Sequence, residues 1–380
     1  MYNFTEEQEQ LRKTIINFSR QELNPGLEER ERRGQFSHDL WRKCASINLL
    51  ALPFEEKHGG CGLNFIDTII AFESLSYGCK DSGLVHSLGT CLISGLMIKL
   101  FGNEEQKARY LPEICRGQII AAQAITEPDA GSDIMSIGTR AIKTGSSYKL
   151  EGRKTFISNG PVADIFLVLA ITNPERKGFG THSFLLCEKN RPGLSISLPI
   201  EKMGLRTLQN SDVIFEGCLL PEQNLIGREG QGTIIFNEIM EWERILFAAC
   251  HLGTLTRIIE TCIKYANERK QYGQQIGKFQ SISNKIVRMK ICQELIRTYL
   301  YQMALAKDQK RMVALQASIL KIFTSESLKQ ACADAIQIHG AYGFMTEFEI
   351  ERDLRDSMAS TIYSGTTEIN MKIIARMLKL

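Results

Sequence analysis

The segment IMEWERILFAAC, residues 239–250, places a carboxylate among apolar side chains. The segment contains neither Gly nor Pro and is predicted to be helical. On a helix the same-face neighbours of Glu243 are Ile239, Met240, Leu246 and Phe247. Burial in such a stripe disfavours the charged form of a carboxylate and raises its pKa. Glu243 is therefore a candidate general base, although a carboxylate at a rim, or one paired with an arginine, would show the same pattern.

Glu241 has a different set of neighbours. At the same helical spacings it meets Asn237, Glu238 and Arg244, so it is expected to be a surface carboxylate. If Arg244 has only a structural role, we expect it to form a salt bridge with Glu241.

Composition limits the classes of function. The 380 residues are 43% apolar and 23% charged, which is typical of a globular protein, and the net charge of +3 is too small to indicate nucleic-acid binding. The 11 Cys and 6 His are dispersed without metal-like spacing, so we expect reduced, packed thiols and no metal site. The N-terminus is acidic and polar rather than a signal peptide, and no membrane span is expected. These features predict a cytoplasmic protein.

The period of the apolar residues divides the chain into three parts. Residues 1–119 have a helical pattern, which begins with a capping box from Thr5 to Gln8. Residues 120–228 change to a period near two, typical of a small β domain in which SYKLEGRKTFISNG forms two short strands joined at Glu151 and Gly152. Residues 229–380 return to the helical period. The predicted helices there are 231–268, 280–308, 311–340 and 347–380.

This order predicts an α+β multidomain protein. Its parts are an N-terminal helical domain, a middle β-barrel-like domain and a C-terminal four-helix bundle.

AQAITEPDAGSD, residues 122–133, resembles the flavin-contacting segment of the acyl-CoA dehydrogenase family. Four more segments agree with that family in order and spacing, so the resemblance covers essentially the whole chain. They are GRKTFISNG at 152–160, ANERKQYGQQIGKFQ at 266–280, QIHGAYGF at 337–344 and RDSMASTIYSGTTEI at 355–369. The resemblance implies the same α–β–α fold and an FAD cofactor.

The resemblance also implies which residues bind FAD. Phe156 matches an aromatic position that packs on the flavin. Arg269, Phe279 and Gln280 match positions that reach FAD from a neighbouring subunit, so we expect a homo-oligomer, a tetramer built as a dimer of dimers. The structural alternatives are a plain β-turn at 128–132 and a surface cation at Arg269. The implied FAD-binding positions are Gln123, Ile125, Thr126, Gly131, Ser132, Phe156, Ile157, Ser158, Arg269, Tyr272, Phe279, Gln280, Gln337, Ile338, His339, Gly340, Ala341, Gly365, Thr366 and Glu368.

One position departs from the common family pattern. Many members carry the catalytic base in a C-terminal YEGT string, whereas this chain has YSGT at 363–366, and a lone hydroxyl at Ser364 cannot act as that base. In the isovaleryl- and long-chain branches the base lies on a bundle helix, in a context that WERILFAA matches. The resemblance therefore assigns the base to Glu243. It assigns substrate contacts to Ser132, Arg244 and Ser364.

Other strings are similar to the prolyl-carrier-protein dehydrogenases. They are GCKDSGLVHSL, MEWER, LRDSMASTIYSGT and IIARMLKL. This similarity implies a partner, an acyl or peptidyl carrier protein whose phosphopantetheine thioester carries proline, with Glu243 removing the α proton and FAD accepting hydride. The alternatives are a short- or branched-chain acyl-CoA dehydrogenase with the same base and a non-catalytic flavin-binding relative. The number of oxidations and the electron acceptor stay open.

Overall fold

Helices form the first third of the chain in the computed structural model, which describes residues 2–176 and 180–380. The first begins with the predicted capping box, since the Thr5 side chain accepts from the Gln8 backbone and the Gln8 side chain accepts from the Thr5 backbone. The six helices are α1 (Glu6–Phe18), α2 (Leu27–Arg33), α3 (His38–Ser46), α4 (Phe65–Gly78), α5 (Ser82–Phe101) and α6 (Glu104–Cys115). Helices α4 and α5 are buried on nearly every face, because apolar or small residues occupy every face.

A mixed eight-stranded sheet forms the middle domain. Its strands are β1 (Ala121–Ala124), β2 (Arg140–Thr144), β3 (Ser147–Ser158), β4 (Ile165–Ile171), β5 (His182–Glu188), β6 (Leu194–Ile196), β7 (Asn210–Pro221) and β8 (Leu225–Ile226). The strand order is β6-β7-β3-β2-β4-β5-β8, and β1 pairs in parallel with β4.

The prediction of two short strands joined at Glu151 and Gly152 was wrong. Residues 147–158 form the single strand β3, which pairs along its length with β7. Gly152 does not turn the chain; it lies beside a register shift at Leu150/Glu151 and adopts a φ of 145°. Glycine at such a position marks a bulge, which the sequence pattern did not distinguish from a turn.

Three long helices dominate the C-terminal domain, and the fourth predicted helical segment is interrupted. The long helices are α7 (Gly232–Glu268), α8 (Gln280–Asp308) and α9 (Ala314–His339); a small hairpin of β9 (Lys270–Gln271) and β10 (Gln274–Gln275) joins the first two, and α10 (Ala341–Phe344), α11 (Ile350–Met358) and α12 (Thr367–Met377) follow. Between α11 and α12, Ser364 and Gly365 have left-handed φ values of 56° and 84°. This turn lies beside the candidate base.

Glu241 is buried rather than exposed, so the prediction of a surface position was wrong. Only 3% of its surface is accessible. Its Oε2 accepts from Lys307 Nζ and from the Val313 backbone amide, each at 3.0 Å. Both partners lie at least 66 residues further along the chain, so the neighbours of Glu241 on its own helix did not reveal them.

Within the residues that the structure describes, two helices, α5 and α7, have the length and apolar composition to cross a membrane, which the sequence analysis had not expected of any segment. Most of each helix is buried within the fold, as in the core helices of many proteins. Neither helix is therefore good evidence for a membrane span.

We predict that Gly253→Ala destabilises the protein, because Gly253 lies where α7 crosses α4. An added Cβ would lie 2.2 Å from the Glu73 carbonyl oxygen and 2.8 Å from the Tyr77 nitrogen. Overpacking of this kind commonly costs about 1–3 kcal/mol, more than the gain in helix propensity of about 1 kcal/mol. Urea unfolding of the FAD-loaded protein measures the change. Gly138→Ala is the matched control, since its Cβ would meet only ordinary contact distances; equal stability of the two variants would contradict the prediction.

Candidate active site

Glu243 lies on the buried side of α7, as the apolar stripe predicted. Its four same-face neighbours on α7 are buried, whereas Glu243 itself keeps some accessible surface. Ser364 Oγ donates a hydrogen bond of 2.6 Å to Glu243 Oε1. Burial raises the pKa of Glu243; the Ser364 hydroxyl, the charge of Arg244 and the Gln123 side chain oppose that rise. The result is a carboxylate that is more basic than usual and held in one orientation.

The turn that carries Ser364 is fixed by several hydrogen bonds. Asn370 Nδ2 donates to the Gly365 and Thr366 carbonyl oxygens at 2.8 and 3.0 Å, and Thr366 Oγ1 caps α12. Arg244 Nε donates to the Ser364 carbonyl oxygen at 3.2 Å. Thus Arg244 holds the turn beside its neighbour Glu243, while Glu241 pairs with Lys307 instead of Arg244.

Aromatic rings form a wall next to Glu243. Phe247, one turn further along α7, stacks on the His86 ring with a centroid distance of 4.2 Å, and Tyr363 packs edge-on against both rings. The Tyr363 hydroxyl and His251 Nε2 are 2.6 Å apart. Burial lowers the pKa of each histidine to about 3, so both rings are neutral. We call these four side chains the aromatic wall.

Strand β3 and the loop after β1 bring predicted flavin-contacting residues of the middle domain together. The backbone amide of Thr155 donates to the Thr126 carbonyl oxygen at 2.8 Å. Lys154, fully buried, donates to the Ile125 carbonyl oxygen at 2.9 Å and to Glu127 Oε1 at 2.7 Å. The loop after β1 is therefore held to β3 by a buried ion pair and by backbone hydrogen bonds.

Two features of the surface formed by β3 and the loop after β1 suit a planar aromatic cofactor. Phe156 is 63% exposed and has a left-handed φ of 58° at a second bulge of β3. Gly131 faces open space, since an added Cβ would meet no atom within 4 Å. A large exposed aromatic side chain on a strained backbone indicates a binding surface. Ser158 lies beside Phe156, where Asn210 Nδ2 hydrogen-bonds both residues.

A second cluster of predicted cofactor residues lines a groove of about 460 Å³ in the C-terminal domain. Tyr272 and Gly273, both left-handed, form the turn of the β9–β10 hairpin, and Tyr272 is 94% exposed. Tyr265 stacks on His339 with a centroid distance of 4.3 Å. Gly340 has a φ of 60° and its Cβ direction is open. The predicted residues that line this groove are Arg269, Tyr272, Phe279, Ile338, His339, Gly340 and Ala341.

The two clusters are far apart on one chain. Glu243 lies on α7 and Arg269 directly follows that helix; Glu268, the last residue of α7, is 25 positions beyond Glu243. At 1.5 Å per residue the distance is about 38 Å, which is longer than an extended FAD molecule. Glu243 and the groove of one chain are therefore too far apart to contact the same FAD molecule.

The remaining predicted FAD-binding residues are either buried in the β domain or exposed on the surface. Ile157 is buried in the core of the β domain, so only its backbone can face a cofactor. Gln280 and Gln337 are exposed on α8 and α9, and Glu368 is exposed in the first turn of α12. Ser132 is exposed in the loop after β1.

Sequence reasoning missed the aromatic wall and the ion pair between Lys154 and Glu127. The two charged residues lay inside the strings that carried the family resemblance, but spacing alone could not show that they pair. His86, His251 and Tyr363 come from three separated segments. Phe247 is the one member of the aromatic wall that sequence reasoning had identified, as a same-face neighbour of Glu243 in the apolar stripe.

Known proteins share the order of the three domains described above. Residues 5–118, 122–218 and 230–379 match the N-terminal, middle and C-terminal domains of acyl-CoA dehydrogenases. An acyl-CoA dehydrogenase of Bacillus subtilis (strain 168) is 36% identical over 374 residues, covering 98% of each chain.

Two solved structures are similar over the full length. The prolyl acyl carrier protein oxidase AnaB is 42% identical, with a TM-score of 0.98 and complete coverage of both chains. PigA, solved with FAD and proline, is 36% identical, with a TM-score of 0.97 and coverage of 100% of this chain and 99% of PigA.

The fold, the buried carboxylate and the open aromatic face define a flavin-dependent oxidoreductase. The chain belongs to the acyl-CoA dehydrogenase family, and its cofactor is FAD. When bound, FAD supplies the acceptor for a hydride. The residues suited to hold its ring are those of β1, the following loop and β3, with Phe156 and Gly131 as the exposed contacts.

We predict that Ser364→Ala raises the pKa of Glu243. The Ser364 hydroxyl favours the charged carboxylate, so its removal favours the protonated form. The acidic limb of the pH profile of flavin reduction should move to higher pH, because reduction requires the unprotonated base. At the alkaline plateau the rate should change by less than about tenfold.

Stopped-flow flavin reduction from pH 5 to pH 9 measures both quantities. Ser360→Ala is the control, since Ser360 is a buried serine that donates to the Ser357 carbonyl oxygen and not to Glu243. A profile of Ser364→Ala that coincides with the wild type would refute the assigned role of the hydroxyl.

Proposed function

We propose that the protein catalyses FAD-dependent dehydrogenation of a prolyl thioester carried by an acyl or peptidyl carrier protein. The carboxylate of Glu243, supported by Ser364 and bounded by the aromatic wall, carries this proposal. The similarity to AnaB and PigA supports the choice of prolyl substrate.

In this proposal Glu243 removes the α proton of the thioester. A carboxylate in an apolar wall is a stronger base than one in water, and the thioester acidifies the proton that it takes. Ser364 orients the carboxylate, and Arg244 holds the turn that carries Ser364. Phe247, His86 and Tyr363 limit the space next to the base.

A short- or branched-chain acyl-CoA is the second candidate substrate, which the similarity to the Bacillus acyl-CoA dehydrogenase favours. The same base would serve either thioester. Flavin bleaching by prolyl-carrier protein, measured beside butyryl-CoA and isovaleryl-CoA, separates the two substrates. Bleaching by the CoA esters alone would replace the proposal with this second candidate.

We predict that Glu243→Gln lowers the rate of flavin reduction by about 10²–10⁴-fold, because the variant keeps the shape of the side chain and removes the base. FAD should still bind. The unfolding free energy at neutral pH should be equal or higher, because a carboxylate whose folded-state pKa is raised destabilises the fold when charged. Any gain should shrink as the pH falls and the wild-type carboxylate becomes protonated.

Glu241→Gln is the matched control, two residues away on the same helix. It breaks the charge pair with buried Lys307 and should lower stability, while the folded fraction keeps its flavin reduction rate. Single-turnover bleaching and urea unfolding of both variants measure this contrast. Flavin bleaching of Glu243→Gln at the wild-type rate would show that the base lies elsewhere.

We also propose a homotetramer, a dimer of dimers in which the groove lined by Arg269 and Gly340 completes the FAD site of a neighbouring subunit. The separation of about 38 Å along α7 supports this arrangement, since the groove is too far from Glu243 of the same chain.

Subunit complementation tests this arrangement. Glu243→Gln and Arg269→Ala should each reduce activity strongly as homo-oligomers. When the two variants are co-expressed in equal amounts, half of the dimers should contain one copy of each variant. One of the two sites in each mixed dimer is then intact, so about a quarter of the wild-type activity should return. Light scattering gives the oligomeric state. Mixed oligomers without recovered activity would contradict completion of the site by a neighbour.

A further inference from the structure

A second cavity lies behind the aromatic wall. All four side chains of the wall line this space of about 40 Å³, which we call the rear cavity. Phe247 follows Glu243 by one turn of α7, and Tyr363 directly precedes Ser364. Neither Glu243 nor Ser364 lines the rear cavity. The aromatic wall therefore stands between the base and this cavity.

The rear cavity is enclosed by both apolar and polar side chains. Val85, Leu205 and Leu328 give it apolar surface. Asp353 and Asp356 also line it, and both carboxylates accept hydrogen bonds from neighbouring residues. A space of about 40 Å³ holds no more than a few water molecules. An acyl chain can therefore enter the rear cavity only where the wall is opened.

The Phe247 ring sits against α5 at a position where a glycine leaves room for it. His86 and Gly89 are three residues apart and lie on one face of α5. The Phe247 ring stacks on the His86 ring with a centroid distance of 4.2 Å. It also lies over Gly89, where an added Cβ would come within 3.0 Å of Cε1 and 3.2 Å of Cζ of the ring. These distances are tighter than ordinary packing, so the position of the ring depends on glycine at 89.

The other half of the wall is held by a hydrogen bond. The Tyr363 hydroxyl and His251 Nε2 are 2.6 Å apart, and the Tyr363 backbone continues into the turn that carries Ser364. A change at Tyr363 would therefore disturb the partner of the base. Phe247 has no group that could form a hydrogen bond, so its size can change without breaking a hydrogen bond of the wall.

We propose that Phe247 sets the length of the acyl group that the enzyme accepts, because its ring, seated over Gly89, closes the space at the base against the rear cavity. This inference rests on the proposed function for the reaction at Glu243, but it applies to either candidate thioester. The acyl group must bring its α carbon to Glu243. A five-membered ring closes back on that carbon and needs little space beyond it, whereas a straight chain of six carbons needs a channel past the wall.

The test compares butyryl-carrier protein with hexanoyl-carrier protein, which differ by two methylene groups. The FAD-loaded wild type, Phe247→Leu and Phe247→Ala are assayed by flavin reduction. Loss of the ring joins the space at the base to the rear cavity. The ratio of kcat/KM for hexanoyl over butyryl should therefore rise by at least about tenfold in Phe247→Ala, since one methylene group in a pocket is worth about 10–200-fold. Phe247→Leu should raise the ratio less, and it serves as the test if Phe247→Ala does not fold.

Binding without turnover gives a second measurement. In the Glu243→Gln background the flavin spectrum reports the bound thioester, so affinities can be compared even for a poor substrate. Phe247→Ala should tighten binding of hexanoyl-carrier protein relative to butyryl-carrier protein by a similar factor. Phe72→Leu is the matched control, because Phe72 is a fully buried ring on α4 that does not line the rear cavity. It should lower stability and leave both ratios unchanged.

Urea unfolding tests the role of Gly89. Gly89→Ala should destabilise the wild type more than it destabilises Phe247→Leu, in which the side chain that the new Cβ would meet is smaller. Equal losses in the two backgrounds would overturn the role of Gly89 as the seat of the ring.

Two results would overturn the role of Phe247. One is an unchanged hexanoyl-to-butyryl ratio in folded, FAD-loaded Phe247→Leu and Phe247→Ala. The other is a wild type that accepts both thioesters equally. Bleaching of the wild type by prolyl-carrier protein is measured in the same series. Its absence, together with a raised ratio in the Phe247 variants, would overturn the proposed prolyl substrate and leave this inference standing.

Discussion

Glu243 places a carboxylate in an apolar wall, and the state of that carboxylate depends on the hydroxyl of Ser364. Burial alone would favour the protonated acid, which cannot act as a base. The hydrogen bond of 2.6 Å from Ser364 lowers the free energy of the charged form and fixes its direction. In the proposed mechanism a serine thus supports the base from a position where many relatives carry the base itself.

The rest of the site can be understood from this contact. Ser364 reaches Glu243 from a left-handed backbone, a conformation that costs a non-glycine residue roughly 1–2 kcal/mol. Arg244 and Asn370 hold that backbone through its carbonyl groups. In the sheet, the ion pair of Lys154 with Glu127 fixes the loop after β1. Strain at Ser364 is thus offset by hydrogen bonds from two different elements, α7 and α12.

The sequence predicted the elements with long, regular patterns better than their tertiary partners. Helix α8 begins and ends at the predicted residues, because apolar periodicity and terminal residues are local signals. Strand β1, only four residues long, left no recognisable pattern. Glu241 shows the limit most clearly: its polar neighbours on α7 indicated solvent, while Lys307 on α8 makes the position buried. The apolar environment of Glu243 could be predicted because its same-face neighbours lie on its own helix.

Helix α7, an unbroken run of 37 residues, connects the candidate base to the groove of predicted cofactor residues. Substitutions on its surface leave this connection unchanged, whereas one inserted or deleted residue between 243 and 268 would rotate everything beyond it by about 100° and shift it by about 1.5 Å. Tyr265 and Arg269 would then face away from the groove. Evolution can therefore vary the composition of this segment freely but has little freedom to vary its length, so alignment gaps among related chains should fall in the flanking loops.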